Sequence, residues 1–382
     1  MNSELIRNDF PILKTKVGGH QIVYFDNAAT TQRPLPVVNA VLDYTTHENG
    51  NPHRGAHIFA ISASEAYDTS KEVVRDFIHA RSEKEIIYTR NTSESLNLVA
   101  RSYGETHLKA GDHILITIAE HHSNLVTWQR VAQKTGATLD YIYVDKETGH
   151  FPEEELKKID DPRVKLFAFA EVSNVLGIDF DPKPLIQRAH AHGAIVVLDG
   201  AQSTPHKPVD VQDLDCDFFA FSGHKMCSMG GIGVLYGKEE LLNDMEPFLM
   251  GGDMIEDVHE QETTYAELPA KFEAGTQYVE GAVSLVAAIR YIQAIGFDEI
   301  RAQEKRLVTR CLEGMKKLPF IHIIGPTDPE EKEGLVAFEV EGVHPHDVAQ
   351  ILSAEGICIR TGHHCAQPLH IYLGINASCR AS

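Results

Sequence analysis

The chain has 382 residues, enough at roughly 150 per domain for two or three domains with a sizeable core. Its 35 Lys and Arg against 55 Asp and Glu leave a formal charge of −20, which excludes nucleic acid and anionic membrane surfaces as expected partners, because both are bound chiefly through Lys and Arg. Hydrophobic content of 43% with 24% charged residues excludes a disordered or fibrous chain.

The opening stretch, Met1 to Lys16, has no basic segment followed by a long apolar run, so no secretory leader is expected. No apolar run approaches the ~20 residues of a membrane helix. Six cysteines, none spaced as Cys-x-x-Cys, are too few for a disulfide scaffold and point to a reducing compartment. The expected location is the cytoplasm.

In chain order, Ser64–His79 reads as a helix, with Tyr67, Val74, Phe77 and Ile78 near helical spacing. Strands are expected at Glu85–Thr89, His113–Ile118, Thr138–Val144, Val164–Ala170, Ala194–Asp199, Phe218–Ser222 and Ile232–Tyr236, with a helix at Pro184–His192. Several of these strands are apolar at nearly every position, as strands covered on both faces are. Strand and helix in rotation predict a mostly parallel, doubly wound α/β sheet of seven strands flanked by helices. Beyond residue 280 the texture changes: helices at Ala282–Ile295, Phe297–Lys317 and Pro345–Glu355 alternate with strands at Ile321–Ile324, Gly334–Val340 and Ile357–Arg360. This predicts a large domain over 18–280 and a smaller α+β domain over 281–382, joined by residues 1–17.

Ligands of open α/β sheets bind beyond the carboxyl ends of the strands, so the residues there carry the reading. After Thr89 come Thr92 and Ser93, hydroxyls at a helix start that suit either a cap or a phosphate. After Ile118 come His121 and His122, either of which suits stacking on a planar ring or plain helix-start duty. Asn174 follows Ala170 as a turn residue or a donor to a ring substituent. Asp199 ends a buried apolar strand, an expensive place for a carboxylate unless a cation or donors meet it. Lys225 follows Ser222, Gly223 and His224 at another strand end, as a Schiff-base amine or a surface lysine. Together these place a phosphate cradle, a stacking imidazole, a buried carboxylate and an amine around one crevice. That is the set pyridoxal 5′-phosphate asks of a protein.

The strings carrying these residues are Tyr24-Phe25-Asp26-Asn27-Ala28-Ala29-Thr30-Thr31, His53-Arg54-Gly55, Glu120-His121-His122, Val172 to Gly177, Asp199-Gly200-Ala201-Gln202, Ser222-Gly223-His224-Lys225, Phe272 to Thr276 and Arg360-Thr361-Gly362-His363-His364-Cys365-Ala366-Gln367-Pro368. In combination, and over essentially the whole chain, the sequence resembles the fold-type I pyridoxal-phosphate enzymes of the class V aminotransferase group, and more narrowly the SUF-type cysteine desulfurases. The resemblance implies that Lys225 holds the cofactor, Asp199 pairs with its ring nitrogen and His121 stacks over the ring. It implies that Gln202 and Asn174 contact the phenolic oxygen or the substrate side, that Thr92, Ser93, Ser222 and His224 bind the phosphate, and that Thr276 comes from the partner subunit of a homodimer. Arg380 would hold the substrate carboxylate, with Ala28 and Arg360 lining the substrate side, and Cys365 would be the nucleophile. The implied reaction takes L-cysteine to L-alanine with a persulfide on Cys365, passed to a sulfur-acceptor or scaffold protein of iron–sulfur cluster assembly. His363, His364 or His121 would raise the thiolate fraction of Cys365.

Two departures stand out. Cys227-Ser228-Met229-Gly230 follows the lysine where the family more often has Gly-Pro, which predicts a looser loop. Related chains continue for some twenty residues past the Arg-Ala-Ser string, whereas Arg380 lies two residues from the last, Ser382, where fraying is expected. The alternatives are a selenocysteine lyase, a sulfinate-cleaving enzyme, an aminotransferase, or a pyridoxal-phosphate-binding relative impaired by the short tail. No metal is expected: His363, His364 and Cys365 adjoin and His53-x-x-x-His57 has helical metal spacing, but the Cys-x-x-Cys pairs usual for structural zinc are missing. Cys216, Cys311 and Cys358 read as buried small hydrophobes, and His344 and His346 as a helix cap or an acceptor dock.

Overall fold

A computed structural model of the chain describes residues 3–382. Seven strands form the large sheet, in the spatial order Ile86–Thr89, Gly233–Gly237, Phe218–Ser222, Ile195–Asp199, Val164–Ala170, His113–Thr117, Thr138–Ile142. Gly233–Gly237 runs antiparallel to both neighbours, and the remaining pairs are parallel. The continuous apolar runs are explained by burial on both faces. In Val164–Ala170, Phe167 and Phe169 enter one core while Leu166 and Ala168 enter the other, the period of two that a pleated strand imposes.

The smaller sheet has five strands, in the order Ile321–Ile324, Val336–Val340, Ser378–Ala381, Ile357–Gly362, Val23–Phe25. Two expected boundaries move. Val23–Phe25, inside the expected large-domain range, pairs in parallel with Ile357–Ile359 at the edge of the small sheet. The helix Val279–Ile295, assigned by sequence mostly to the small domain, packs against Leu35–His47 and Ile58–Ile78 and buries Ala282, Leu285, Ile289 and Ile292 in the core beneath the large sheet. Both moves have one cause: sequence texture marks element type, whereas domain membership follows from which apolar face meets which.

Ser378–Ala381 is also new. It is only four residues long, where the sequence reading names no element, yet it is the middle strand of its sheet, bonded to Val336–Phe338 on one side and Arg360–Gly362 on the other. Arg380 is consequently 2% exposed rather than frayed. Ser382 extends the anchorage, its N–H donating to Phe25 O (3.0 Å) and its Oγ accepting from Ala28 N (2.9 Å). Among the described residues no single helix is long and apolar enough to cross a membrane.

Candidate active site

Five strands of the large sheet deliver their carboxyl ends to one cavity of about 800 Å³, counting the part open to solvent. The small domain closes its far side through Arg360, His364, Cys365 and Arg380.

At one end the helix Thr92–Val99 points its N-terminus into the cavity. Its cap is Asn91, whose Oδ1 accepts from Glu94 N (3.0 Å), not Thr92 or Ser93 as the hydroxyl pair implied. With the cap supplied one residue earlier, both hydroxyls line the cavity. Thr92 Oγ1 meets Ser222 Oγ at 2.7 Å and Ser93 Oγ meets Ser123 Oγ at 2.5 Å. Gly233 permits this arrangement, because a Cβ there would lie 2.5 Å from Asn91 Cα. The hydroxyls of Thr92, Ser93 and Ser222, the N–H groups of a helix start and His224 are a donor set of the kind that suits a phosphate.

Asp199 is 5% exposed and accepts from Ala201 N (2.9 Å). Burial raises its pKa, against the opposing pull of Lys225 and that hydrogen bond. Burial brings the Lys225 amine down to about 8, with Asp199 offsetting part of the drop. A lysine so tuned is far richer in free amine at neutral pH than an exposed one. The loop behind it is not loose: Cys227 N donates to Thr31 Oγ1 (2.7 Å), Arg33 Nε to Ser228 O (3.1 Å), and Ser228 Oγ meets Ser284 Oγ (2.7 Å). These side-chain bonds do the work expected of a proline.

His121 faces the same space. Its Nδ1 accepts from Ser123 N (3.1 Å), which places the ring proton on Nε2, and burial together with Lys225 takes its pKa down to about 3. Beneath it Glu120 is fully buried, accepting from Thr117 Oγ1 and Asn124 Nδ2 (2.7 Å), and Asn124 Oδ1 in turn accepts from Trp128 Nε1 (2.8 Å). Gln202 Nε2 donates to Ala28 O (2.9 Å), which ties the ring side to the Asp26–Ala29 turn.

The Cys365 side is built differently. His364 and Cys365 take consecutive left-handed conformations (φ 51° and 59°) after Gly362 (φ 112°), a costly geometry for residues with a Cβ. It is held from outside: His122 N donates to Cys365 O (2.6 Å), Asn174 Nδ2 to His364 O (2.6 Å) and Gln367 N to His122 Nε2 (3.0 Å). His370 Nδ1 lies 3.0 Å from Ala366 O and must therefore donate to it. Burial lowers the pKa of His370, so its Nε2 is bare and accepts from Ser378, 2.9 Å away. The same hydroxyl oxygen then accepts from His364 Nε2, also at 2.9 Å, leaving His364 Nδ1 bare and without a partner.

Burial and Arg380 take the His364 pKa down to about 2. With His121 near 3, neither imidazole adds a positive charge beside Cys365, so any help they give the thiol is as neutral rings. Lys225 and Arg380 lie within electrostatic reach of Cys365. Arg380 is buried yet under-bonded: Nη1 donates to Asn174 O (2.8 Å), while Nε has no partner. A buried guanidinium with an open edge fits a carboxylate.

The cavity thus gathers Ala28, Thr92, Ser93, His121, Asn174, Asp199, Gln202, Ser222, His224, Lys225, Arg360, Cys365 and Arg380. Thr276 is exposed and lies outside it in the single chain. Ser123 and Ser378 are site residues that the sequence reading does not name, although Ser123 directly follows the Glu120-His121-His122 string. Only Ser378 had no signal, because its role depends on two histidines brought to it by folding. His53 and His57 share no helix: His53 is left-handed (φ 70°) and His57 caps Ile58–Ile78 through Ala60 N (3.3 Å). His344 caps Pro345–Ala354, accepting from His346 N (3.2 Å). Cys216 is buried as expected, but Cys311 and Cys358 are partly exposed.

The residues fit pyridoxal 5′-phosphate: a desolvated amine, a buried carboxylate, an uncharged imidazole and a hydroxyl-lined helix start surround one space. Comparison with known proteins agrees. The Aminotransferase class-V family profile matches residues 23–382. A probable cysteine desulfurase of Halalkalibacterium halodurans is 48% identical over 100% of this chain and 93% of that protein, and one of Synechocystis is 45% identical over 99% and 90%. The apo structure of a cysteine desulfurase from Thermococcus onnurineus superposes with a TM-score of 0.94 at 44% identity, covering 99% of this chain and 92% of that one. The Escherichia coli cysteine desulfurase CsdA, in its S-sulfonic acid form, gives a TM-score of 0.91 at 37% identity over 100% and 93%. The chain belongs to the class V aminotransferase family and, within it, to the pyridoxal-phosphate-dependent cysteine desulfurases.

Proposed function

We propose that this chain moves the sulfur of L-cysteine onto Cys365 and releases L-alanine. The observation that carries the reading is the meeting, around one cavity, of Lys225, Cys365 and the buried Arg380, whose guanidinium Nε has no hydrogen-bond partner. Lys225 would hold the cofactor, Asp199 its ring nitrogen, and Thr92, Ser93, Ser222 and His224 its phosphate. When bound, the cofactor supplies an electron-withdrawing ring that stabilises negative charge at the substrate Cα.

Arg380 orients the substrate by its carboxylate. Lys225, tuned to about 8, takes the proton from Cα as its free amine and can return one as its ammonium. Cys365 Sγ, as thiolate, attacks the substrate sulfur. The new bond is S–S, the broken bond is Cβ–S, and its electron pair stays with the carbon skeleton, which takes up protons and leaves as L-alanine. Electrons balance with no added oxidant: the sulfur carried by Cys365 is oxidised as the carbon is reduced. The strained, externally braced Cys365 segment keeps the thiol at the cavity wall with no long loop to order.

The persulfide is then proposed to pass to a sulfur-acceptor protein serving iron–sulfur cluster assembly of the SUF type, in the cytoplasm. A homodimer is proposed as the working form. Exposed Leu35, Val38, Leu42, Ile58, Phe59 and Ile61 on two consecutive helices, Leu35–His47 and Ile58–Ile78, support it. So does Thr276, exposed on a loop rooted by Glu273, which accepts from Tyr67 Oη (2.8 Å) and Tyr88 N (2.7 Å).

The test is mass spectrometry of the holoenzyme after L-cysteine without reductant. One extra sulfur on the Cys365 peptide and a matching yield of alanine are expected. Cys365→Ser should keep the bound-cofactor absorbance and lose both products. Sulfur found on another cysteine, or transfer retained in Cys365→Ser, overturns the assignment.

A further inference from the structure

Asp26 stands behind the substrate wall in the turn after the Val23–Phe25 strand and faces two arginines. Its Oδ1 lies 3.6 Å from Arg380 Nη2 and its Oδ2 lies 4.0 Å from Arg360 Nη1. These are ion-pair distances, longer than hydrogen bonds, and Oδ1 is buried with no hydrogen-bond partner at all. Burial raises the Asp26 pKa while both arginines oppose the rise.

Such a carboxylate is a poor structural staple. A staple would take the bidentate geometry that carboxylate and guanidinium readily form. Here the carboxylate is shared between two cations at a distance, and Arg380 keeps its Nε free. The turn carrying it is nonetheless firmly set: Ala29 N donates to Asp26 O (3.1 Å) and Asn27 Nδ2 to Ser382 O (2.8 Å). Asp26 is therefore held where it is by its backbone, and its charge reaches the arginines without consuming their donors.

We propose that Asp26 is a positioning and charge-matching residue that reduces the Arg360–Arg380 pair to a single net positive charge and so fits the site to an amino acid with one carboxylate. The inference rests on the reading that Arg380 binds the substrate carboxylate. Two guanidiniums and one aspartate sum to +1, which one α-carboxylate neutralises. An amino acid with a second anionic group beside it would bring surplus negative charge to a site already holding Asp26, at close range to the buried Arg380 though Arg360 is partly open to solvent. Asp26 thereby selects the uncharged thiol side chain over an oxidised, acidic one without touching either.

The test uses the holoenzyme and two amino acids of similar length as inhibitors of L-cysteine turnover: L-serine, with one acidic group, and L-cysteate, with two. In Asp26→Asn the ratio of inhibition constants, cysteate over serine, should fall at least fivefold, because the added net charge acts on both anionic groups of cysteate but on one of serine. Asp26→Ser should shift it in the same direction. An unchanged ratio, or equal weakening of both inhibitors, overturns the inference. So does failure of both variants to fold, which would make Asp26 a structural residue. If the unaltered holoenzyme does not turn over L-cysteine, the functional reading itself fails.

Discussion

The two walls of the cavity are built on opposite plans. The wall that would hold the cofactor comes from the ends of long, buried, regular strands, and each functional side chain there follows a strand that would be apolar in any protein of this class. The Cys365 wall comes from a short segment in left-handed conformations, braced by Asn174 and by the His121–His122 turn of the other domain. The first is rigid because its backbone is in low-energy sheet geometry. The second is rigid only because neighbours over-determine it. One plan suits an amine and a carboxylate that must stay fixed through a reaction, the other a thiol proposed to accept sulfur inside and then present it outside.

The sharpest way to break this comparison is at Lys225. Lys225→Met should lower desulfuration by about a thousandfold or more, the scale of removing a group on which the reaction depends covalently, with loss of the lysine-linked cofactor absorbance. Retention of turnover would mean the sheet wall is not the chemical wall. The same variant reads the burial of the amine. Its folded pKa, about 8, lies below the unfolded ~10.5, so the cofactor-free protein carries a penalty below pH 8 that fades as pH rises toward 10.5. Without cofactor, Lys225→Met should therefore be the more stable protein at pH 7, by about 1–3 kcal/mol, and its lead should shrink by pH 10 in thermal melts.

Arg380 joins the two plans, a strand residue that serves the Cys365 wall. Arg380→Lys keeps the charge but gives up the planar fork, and should raise KM for L-cysteine by ~10–100-fold with a smaller change in kcat. A kcat loss without a KM change would mean that Arg380 acts on the thiol and not on the substrate carboxylate.

How far the sequence foretold each wall follows from the same contrast. Asp199 was readable because a carboxylate closing an apolar strand is costly without a partner, whereas Lys225 and His121, a few residues past their strands, gained their reading only in combination with it. Arg380 and Cys365 were reached only through family likeness: Ser378-Cys379-Arg380-Ala381 is too short to show a strand period, and no local pattern announces two consecutive left-handed residues. One form of the expected histidine assistance, a positive imidazolium beside the thiol, is disfavoured at His364 and His121 for a physical reason. Sequence adjacency places the rings near the thiol but does not give their charge, and burial beside Arg380 and Lys225 makes the imidazolium forms of His364 and His121 costly. Sequence shows which groups are present; their protonation depends on the charges that folding puts around them.

The smallest effect probes the brace itself. The Ser378 hydroxyl donates to His370 and accepts from His364, so one oxygen fixes both ring orientations and leaves the His364 Nδ1 lone pair bare. Ser378→Ala orphans two ring nitrogens in a buried place, a loss of about 1–3 kcal/mol in stability. His364 is then free to take either tautomer. Because its own backbone is half of the left-handed pair, its rearrangement moves Cys365 and not Lys225. The expected signature is an unchanged cofactor spectrum and unchanged KM, with kcat and the alkylation rate of Cys365 altered by a few fold, and Ser378→Thr restoring all of them. If Ser378→Ala melts with the unaltered protein and Cys365 reacts as before, the left-handed segment stands by its backbone bonds alone, and the brace belongs to Asn174 and the His121–His122 turn.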